Sequence, residues 1–136
     1  MKTQRFLIAV EGGTKDGRTI SAVEIAAMAK NFDYEGRVIP VTYDYFKWSP
    51  MLSEVVGIGT ENVYGKLSLY VEVNATEELR EIAERKVDHY LAPAINGCNS
   101  WATLVEVAVT QYSTIYDVDK LQFERGNHAN AILRSR

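Results

Sequence analysis

The side chains that could do hydrolytic chemistry are concentrated in one stretch, HYLAPAINGCNSW, at residues 89–101. It carries an imidazole, a thiol and a hydroxyl, on His89, Cys98 and Ser100. Acyl transfer needs a nucleophile with a base beside it, so His89 acting on Ser100 or Cys98 is one hypothesis. The plainer interpretation is that Cys98 and Ser100 belong to a turn after Gly97 and that His89 suits the negative end of a helix.

Metal and cofactor chemistry has little support in the sequence. There is one cysteine and there are two histidines, His89 and His128, without CxxC or HxxxH spacing. A metal site is therefore not expected. The segment GGTKDG, residues 12–17, lacks both the GK[ST] ending of a phosphate-binding loop and a GxGxxG pattern, and it predicts a turn. No cofactor is expected either.

Length and composition favour one globular domain, residues 1–123, followed by an exposed tail at residues 124–136. The chain has 136 residues, is 46% hydrophobic and carries a formal net charge of −3. That charge makes nucleic acid an unlikely partner, because neutralising phosphates requires a basic face. No run of about 20 apolar residues is present, so no membrane association is expected. The single cysteine excludes an internal disulfide, and a reducing cytosol is the default compartment.

Hydrophobic periodicity predicts strands and two helices in the order β, α, several β, α, β. Ser21 and Glu24 form the capping box of the first helix, and Pro40 indicates a strand that is an edge or begins near the proline. The order lacks the alternation of a doubly wound sheet, so the expected class is α+β: a mainly antiparallel sheet or small barrel with two packed helices. The predicted strands are residues 5–12, 38–46, 53–63, 66–74 and 101–112, the helices are 21–32 and 75–91, and a short element covers 117–123.

Two sets of side chains have alternative interpretations. The helices should pack apolar stripes on the sheet. An aromatic cluster near residue 45 is either core packing or a contact surface for a partner. The stripes are Ile25, Met28, Ala29 and Phe32 in the first helix and Leu79, Ile82, Ala83 and Val87 in the second, and the aromatic cluster is Tyr43, Tyr45, Phe46 and Trp48.

Several segments, taken in order, resemble the capsid scaffolding proteases of tailed phages, the gpO type. They are RFLIAVEGGTKDGRTIS, MAKNFD, VIPVTY, SEVVGIGTENVYGKLSLYVEVNAT and LVEVAVT, and they span roughly residues 5–123. The resemblance implies an N-terminal serine protease domain with an Asp, His, Ser triad that cleaves capsid components and itself. It also implies a following helical segment that chaperones assembly of the major capsid protein, and residues 124–136 are not expected to supply it.

The resemblance places the family's catalytic residues unevenly on this chain. The aspartate falls on Asp16, the histidine position on Tyr43 and the serine position on Ala92. No histidine occurs between Met1 and Asp88, so a small shift of the match restores no base. Tyrosine is a poor base at neutral pH because its ordinary pKa is near 10. We therefore expect a vestigial triad, Asp16, Tyr43 and Ala92, whose members lie near one another but do not catalyse.

The expected function is that of a catalytically inactive internal capsid or scaffold protein, a pseudoprotease, that binds the major capsid protein during phage head assembly. A second copy of the chain is a further candidate partner. The expected location is the host cytoplasm during assembly and the inside of the procapsid or virion. Two alternatives stay open: an active capsid-maturation protease that uses Ser100 or Cys98 with His89, and a phage or satellite regulator of capsid assembly.

Overall fold

The structure, a computed structural model, describes residues 2–45 and 48–123. The predicted tail at residues 124–136 and Phe46 of the aromatic cluster lie outside this part of the chain. The described elements, in chain order, are β1 (Thr3–Val10), β2 (Gly12–Gly13), β3 (Thr19–Ile20), α1 (Ala22–Lys30), β4 (Pro40–Tyr43), β5 (Ser53–Val63), β6 (Lys66–Asn74), α2 (Glu77–Ala83), β7 (Tyr90–Asn96), one turn of 3-10 helix (Asn99–Trp101) and β8 (Thr103–Thr110).

Six of the strands form one sheet in the order β1-β6-β5-β4-β8-β7, and β2 pairs with β3 in a small hairpin. All the pairings are antiparallel except that between β4 and β8, which is parallel. The α+β class and the mainly antiparallel sheet are therefore confirmed. The small-barrel alternative is wrong, because the edge strands β1 and β7 do not pair with each other.

A short segment after β8 links the two edges of the sheet. The Asp119 N–H donates to the Leu7 carbonyl at 3.0 Å, and the Asp119 carboxylate accepts from the Leu7 N–H at 2.8 Å. Lys120 forms an isolated β-bridge with Tyr90 on the opposite edge. The element predicted at residues 117–123 is therefore neither a full strand nor a helical turn, but a link held by these few bonds.

The first helix follows the sequence closely. Ser21 caps α1 by accepting the Glu24 N–H at 3.1 Å, and the Glu24 side chain accepts the Ser21 N–H at 3.0 Å. This capping box is the predicted one. Ile25 and Met28 are buried against the sheet, with Ala29 and Phe32 packed beside them.

The second helix is shorter than predicted. Thr76 caps it and Leu79 and Ile82 are buried, but it ends at Ala83 rather than at residue 91. Val87, placed in the apolar stripe by periodicity, is 53% exposed. Residues 90–96 instead form β7, which pairs with β8, so the helix cannot continue to residue 91.

Strand β4 resolves the ambiguity at Pro40. It lies between β5 and β8, so it is not an edge strand, and Pro40 is its first residue. A proline is tolerated there because its missing N–H falls at the start of the ladder. None of the helices in the described part of the chain is long and apolar enough to cross a membrane.

Candidate functional site

Ala92, the expected position of the nucleophile, lies on a strand rather than in a turn. It is the third residue of β7 and pairs with Ala108 of β8. The turn comes five residues later, at Gly97, where φ is +81°. The predicted helix at residues 75–91 and strand at 101–112 left Ala92 in the connection between them, whereas the structure places it on β7.

Position 92 belongs to a row of three residues that crosses the sheet. Ala108 pairs with Ala92 on one side and with Thr42 of β4 on the other. Side-by-side residues of neighbouring strands point to the same face of a sheet. Thr42, Ala108 and Ala92 therefore share one face, which we call the outer face.

Tyr43 lies in the next row and points the other way. It pairs with Val109, which pairs with Leu91, and all three contribute to the hydrophobic core on the inner face. The Tyr43 ring packs against the His89 ring, with 6.2 Å between the ring centres. The expected approach of Tyr43 to Ala92 is therefore not found, because successive residues of a strand face opposite sides.

Two polar side chains that the sequence did not single out, Thr42 and Glu106, stand on the outer face beside Ala92. The Thr42 hydroxyl donates to a carboxylate oxygen of Glu106, which lies two residues before Ala108 on β8. The Tyr45 hydroxyl donates to the Pro93 carbonyl at 3.3 Å. A sequence signal existed in the period-2 placement of Ala92, Ala94, Glu106 and Ala108, which assigns these residues to one face once the two strands are paired.

The electrostatics of Tyr45 connect this face to the turn that carries Asp16. Partial burial raises the pKa of Tyr45, and the Glu106 and Asp44 carboxylates raise it further, whereas the Arg18 cation lowers it. Arg18 forms an ion pair with Asp16 at 2.8 Å. The charge of Arg18, in the turn that holds Asp16, therefore acts on Tyr45.

Asp16 itself is engaged inside its own turn. Hydrogen bonds from the Thr14 hydroxyl and the Arg18 guanidinium lower its pKa to about 2, and the Arg18 charge adds to this effect. The carboxylate is exposed and orients no imidazole. Of the three predicted triad positions, Asp16 pairs with Arg18 in its own turn, and Tyr43 and Ala92 point to opposite faces of the sheet.

The alternative pairing of His89 with Ser100 or Cys98 is wrong. His89 is 2% exposed, its Nδ1 lies 2.8 Å from the Val87 carbonyl, and its Nε2 has no hydrogen-bond partner. His89 precedes β7 whereas Cys98 and Ser100 follow it, and a seven-residue strand separates them by roughly 20 Å. Cys98 and Ser100 are exposed turn residues, as the plainer interpretation had it, but His89 is a core residue and not a helix end.

The edge of β7 beside Ala92 is partly occupied. The His89 carbonyl accepts the Leu121 N–H, so residues 89, 91 and 93 direct their backbone groups outward from the sheet. Pro93 has no N–H to offer, and its carbonyl is taken by Tyr45. A proline and an occupied carbonyl on an edge strand oppose the addition of another strand.

An open cleft of about 470 Å³ lies at the start of β7. Its lining includes Tyr90, two residues before Ala92, together with Lys15, Tyr112 and Asp117. The residues that the structure describes contain no cluster of three or more His, Cys, Asp or Glu side chains that could hold a metal ion.

The described part of the chain is an α+β fold with Asp16 in the turn between β2 and β3 and Ala92 on β7. A family model described as "GPO serine peptidase, N-terminal domain" matches residues 3–126. The chain therefore belongs to this family of phage capsid scaffold proteases. No curated protein and no solved structure matches the chain.

Proposed function

We propose that this chain is a catalytically inactive member of the GPO peptidase family that binds the major capsid protein during phage head assembly. The observation that carries the proposal is the row across β8, where the expected nucleophile position is Ala92 and none of the described residues places an imidazole on the outer face. Acyl transfer at a hydroxyl needs both the hydroxyl and a base to take its proton. The residues that the structure describes supply neither at this place.

The location of the histidines supports the same proposal. The sequence has only His89 and His128. His89 is buried among core residues with Tyr43 against its ring, and it faces away from Ala92. His128 lies outside the described residues and carries no argument.

Retention of the fold without this chemistry favours a binding role. The six-stranded sheet, both helix caps and the core are intact in the described chain. Large aromatic side chains remain exposed, among them Trp48 and Trp101, each 81% exposed. Exposed aromatic residues supply much of the energy of protein interfaces, so these are the first candidates for contact with the capsid protein.

Co-expression of the full chain with the major capsid protein of the same phage tests the proposal. Particles are isolated by sedimentation, and the intact masses of both proteins are followed during incubation. We expect the chain to sediment with the particles and both masses to stay unchanged. A chain that leaves the particle fraction, while the capsid protein assembles normally, would rule out the binding role.

The same experiment separates the active-protease alternative. Cleavage of the capsid protein by the unmodified chain, abolished by Ser100→Ala or Cys98→Ala, would overturn the proposed inactivity. Altered particle size with the chain absent from the finished particles would favour a regulator of assembly instead.

A further inference from the structure

We propose that the side of β5 that faces β4, over residues 57–63, is a docking edge for a second copy of this chain, which pairs with it antiparallel about a two-fold axis at Thr60. We call this side the open edge. It lies three strands away from β7 and Ala92. The inference goes beyond the proposed function and does not depend on it, because the presence or absence of catalysis plays no part in the pairing.

Strand β5 is covered on this side for only part of its length. Strand β4 is four residues long and pairs with β5 only at Ser53 and Glu54, and one further bond joins the Val55 N–H to the Ile39 carbonyl at 3.0 Å. On its other side, β5 pairs with β6 as far as the hairpin turn. In the part of the chain that the structure describes, no strand therefore lies against the open edge.

The hairpin turn determines which backbone groups the open edge presents. Val63 and Lys66 close the two-residue turn, and the pair that closes such a turn exchanges hydrogen bonds. Along an antiparallel ladder, pairs of this kind alternate with pairs that do not bond to each other. The same alternation turns Leu67 of β6 toward β1, where its carbonyl accepts the Glu11 N–H at 2.9 Å. On β5, the residues that direct their N–H and C=O groups to the open edge are Ile58, Thr60 and Asn62.

The open edge lacks the features that protect the two outer edges of the sheet. Strand β7 carries Pro93, and on β1 both backbone groups of Leu7 are engaged by Asp119. The sequence of residues 57–63 is GIGTENV, without a proline or a lysine, and Thr60 is exposed. Natural edge strands are commonly protected by lysine, proline or a covering segment. The open edge is therefore suited to receive another strand.

Symmetry and charge select the register of that strand. A two-fold axis at Thr60 pairs Thr60 with itself and Ile58 of each copy with Asn62 of the other, and each pair exchanges two hydrogen bonds. An axis at Gly59 or Glu61 leaves one pair fewer. An axis at Glu61 also sets the two Glu61 carboxylates opposite each other, and like charges directly opposite are destabilising.

The axis at Thr60 instead brings each glutamate to a glycine. Glu61 of one copy lies opposite Gly59 of the other, where no side chain competes for the space. Glu61 keeps its ion pair with Arg5 of its own chain. The two Thr60 side chains form a Thr–Thr pair, one of the favourable cross-strand combinations. The open edge is therefore complementary to itself.

Two exposed side chains lie at opposite ends of the open edge. Tyr64 is at the hairpin tip, is fully exposed and has a φ of +52°, an unfavourable conformation for a bulky residue. Val38, at the other end, precedes Ile39 and is 50% exposed. Antiparallel pairing brings the opposite ends of two copies together, so Tyr64 of each copy reaches Val38 of the other. These contacts would add apolar burial to the backbone bonds.

Sedimentation equilibrium of the full chain tests the pairing. An interface made of one strand edge from each copy is small and belongs to the weak class, so we expect a Kd of about 0.1 mM. Thr60→Lys and Thr60→Glu each set like charges opposite each other across the axis, and each should raise the Kd about tenfold. An equimolar mixture of the two variants should recover the affinity of the unmodified chain, because lysine then faces glutamate. Thr60→Val, which keeps the N–H, should dimerise like the unmodified chain.

Thr19 on β3 supplies the matched control, since it is also an exposed strand threonine. Thr19→Lys and Thr19→Glu make the same charge changes away from the open edge and should leave the Kd unchanged. Far-UV spectra establish that each variant is folded. A chain that stays monomeric at about 1 mM, ten times the expected Kd, would overturn the proposal. A dimer that is insensitive to the Thr60 charges, or a mixture that associates no better than its components, would overturn the axis at Thr60.

Amide hydrogen exchange by NMR identifies what covers the open edge without any substitution. The Thr60 N–H should exchange fast in dilute solution and slow down as the chain dimerises, whereas Gly59 and Glu61, which bond to β6, should be protected throughout. Protection of Thr60 at every concentration would show that the same chain covers the edge, which contradicts the proposal. Protection that arises only when the capsid protein is added would assign the edge to that protein instead of a second copy.

Discussion

The Tyr43 ring lies against the His89 imidazole on the inner face of the sheet, with 6.2 Å between the two ring centres. In the sequence, His89 was a candidate base, and Tyr43 occupied the position at which the family resemblance implies the catalytic histidine. The contact shows that both are engaged in the core instead. Both side chains therefore contribute to core packing and not to catalysis.

His89 should behave as a core residue on substitution. The buried Nε2 has no partner, so an apolar side chain of similar size removes an uncompensated polar atom and loses only the Nδ1 bond to Val87. We expect His89→Leu to cost about 1 kcal/mol of unfolding free energy, and His89→Ala about 3 kcal/mol because it leaves a cavity. Urea unfolding at pH 7 measures both, and equal losses would argue against the packing role.

Gly97 should tolerate a side chain less well than Gly59. At Gly97 the backbone has φ of +81° and an added Cβ would lie 2.8 Å from the Trp101 carbonyl oxygen, which is backbone and cannot swing away. We expect Gly97→Ala to cost about 2 kcal/mol, the scale of a strained backbone position.

Gly59→Ala is the matched comparison for that substitution. An added Cβ there would meet the end of the Tyr70 side chain, which can rotate at the expense of its stacking with Arg5. The expected cost is about 0.5–1 kcal/mol, the scale of an exposed cation–π contact. Thermal and urea unfolding of the two variants would refute this account if Gly59→Ala were the more damaging.

The sequence predicted those elements whose signals are local. The capping box of α1 depends on two side chains three residues apart, and the alternation in β6 depends on its own residues, so both could be identified from the sequence. The length of α2 could not, because helix periodicity continues to Val87 while the competing strand is specified by residues around Pro93. Tertiary pairing with β8 decided that competition.

The site was harder to predict because it depends on the register between strands. The resemblance placed a base position within a residue or two, and a shift of one residue moves a side chain to the other face of the sheet. Tyr43 and Thr42 are neighbours in sequence, yet only Thr42 faces Ala92. Glu106 carried no motif, and its contact with Thr42 joins residues 64 positions apart.

The Asp16 carboxyl should titrate with a pKa of about 2, as the Thr14 and Arg18 hydrogen bonds dictate. Because this pKa is depressed below the ordinary value of 3.8, its contribution to the stability of the turn is present above about pH 4 and is lost as the pH falls toward 2. Thr14→Val should raise the pKa toward 3.8, whereas Thr19→Val on the neighbouring strand should not. Carboxyl ¹³C NMR measures all three, and an unchanged pKa in Thr14→Val would contradict the assignment.

Trp48 and Trp101 provide a matched test of the surface that we propose contacts the capsid protein. Both indoles are 81% exposed, but only Trp48 lies in the aromatic segment that follows β4, close in sequence to Tyr45. If that segment forms the contact, Trp48→Ala should weaken binding by at least about 2 kcal/mol, or roughly 30-fold in Kd, as expected for an aromatic interface residue. Trp101→Ala should leave the affinity within about twofold, the scale of a residue outside the energetic centre of an interface.

Binding of each purified variant to the major capsid protein, measured by sedimentation or calorimetry, gives the comparison directly. Far-UV spectra and melting temperatures of the two variants establish that any loss reflects the surface and not the fold. A loss confined to Trp101→Ala would place the contact at the turn after β7 instead, next to Cys98 and Ser100. If both variants bind the capsid protein as tightly as the unmodified chain, the aromatic surface is not the contact. The cleft beside Tyr90 then becomes the next candidate for substitution.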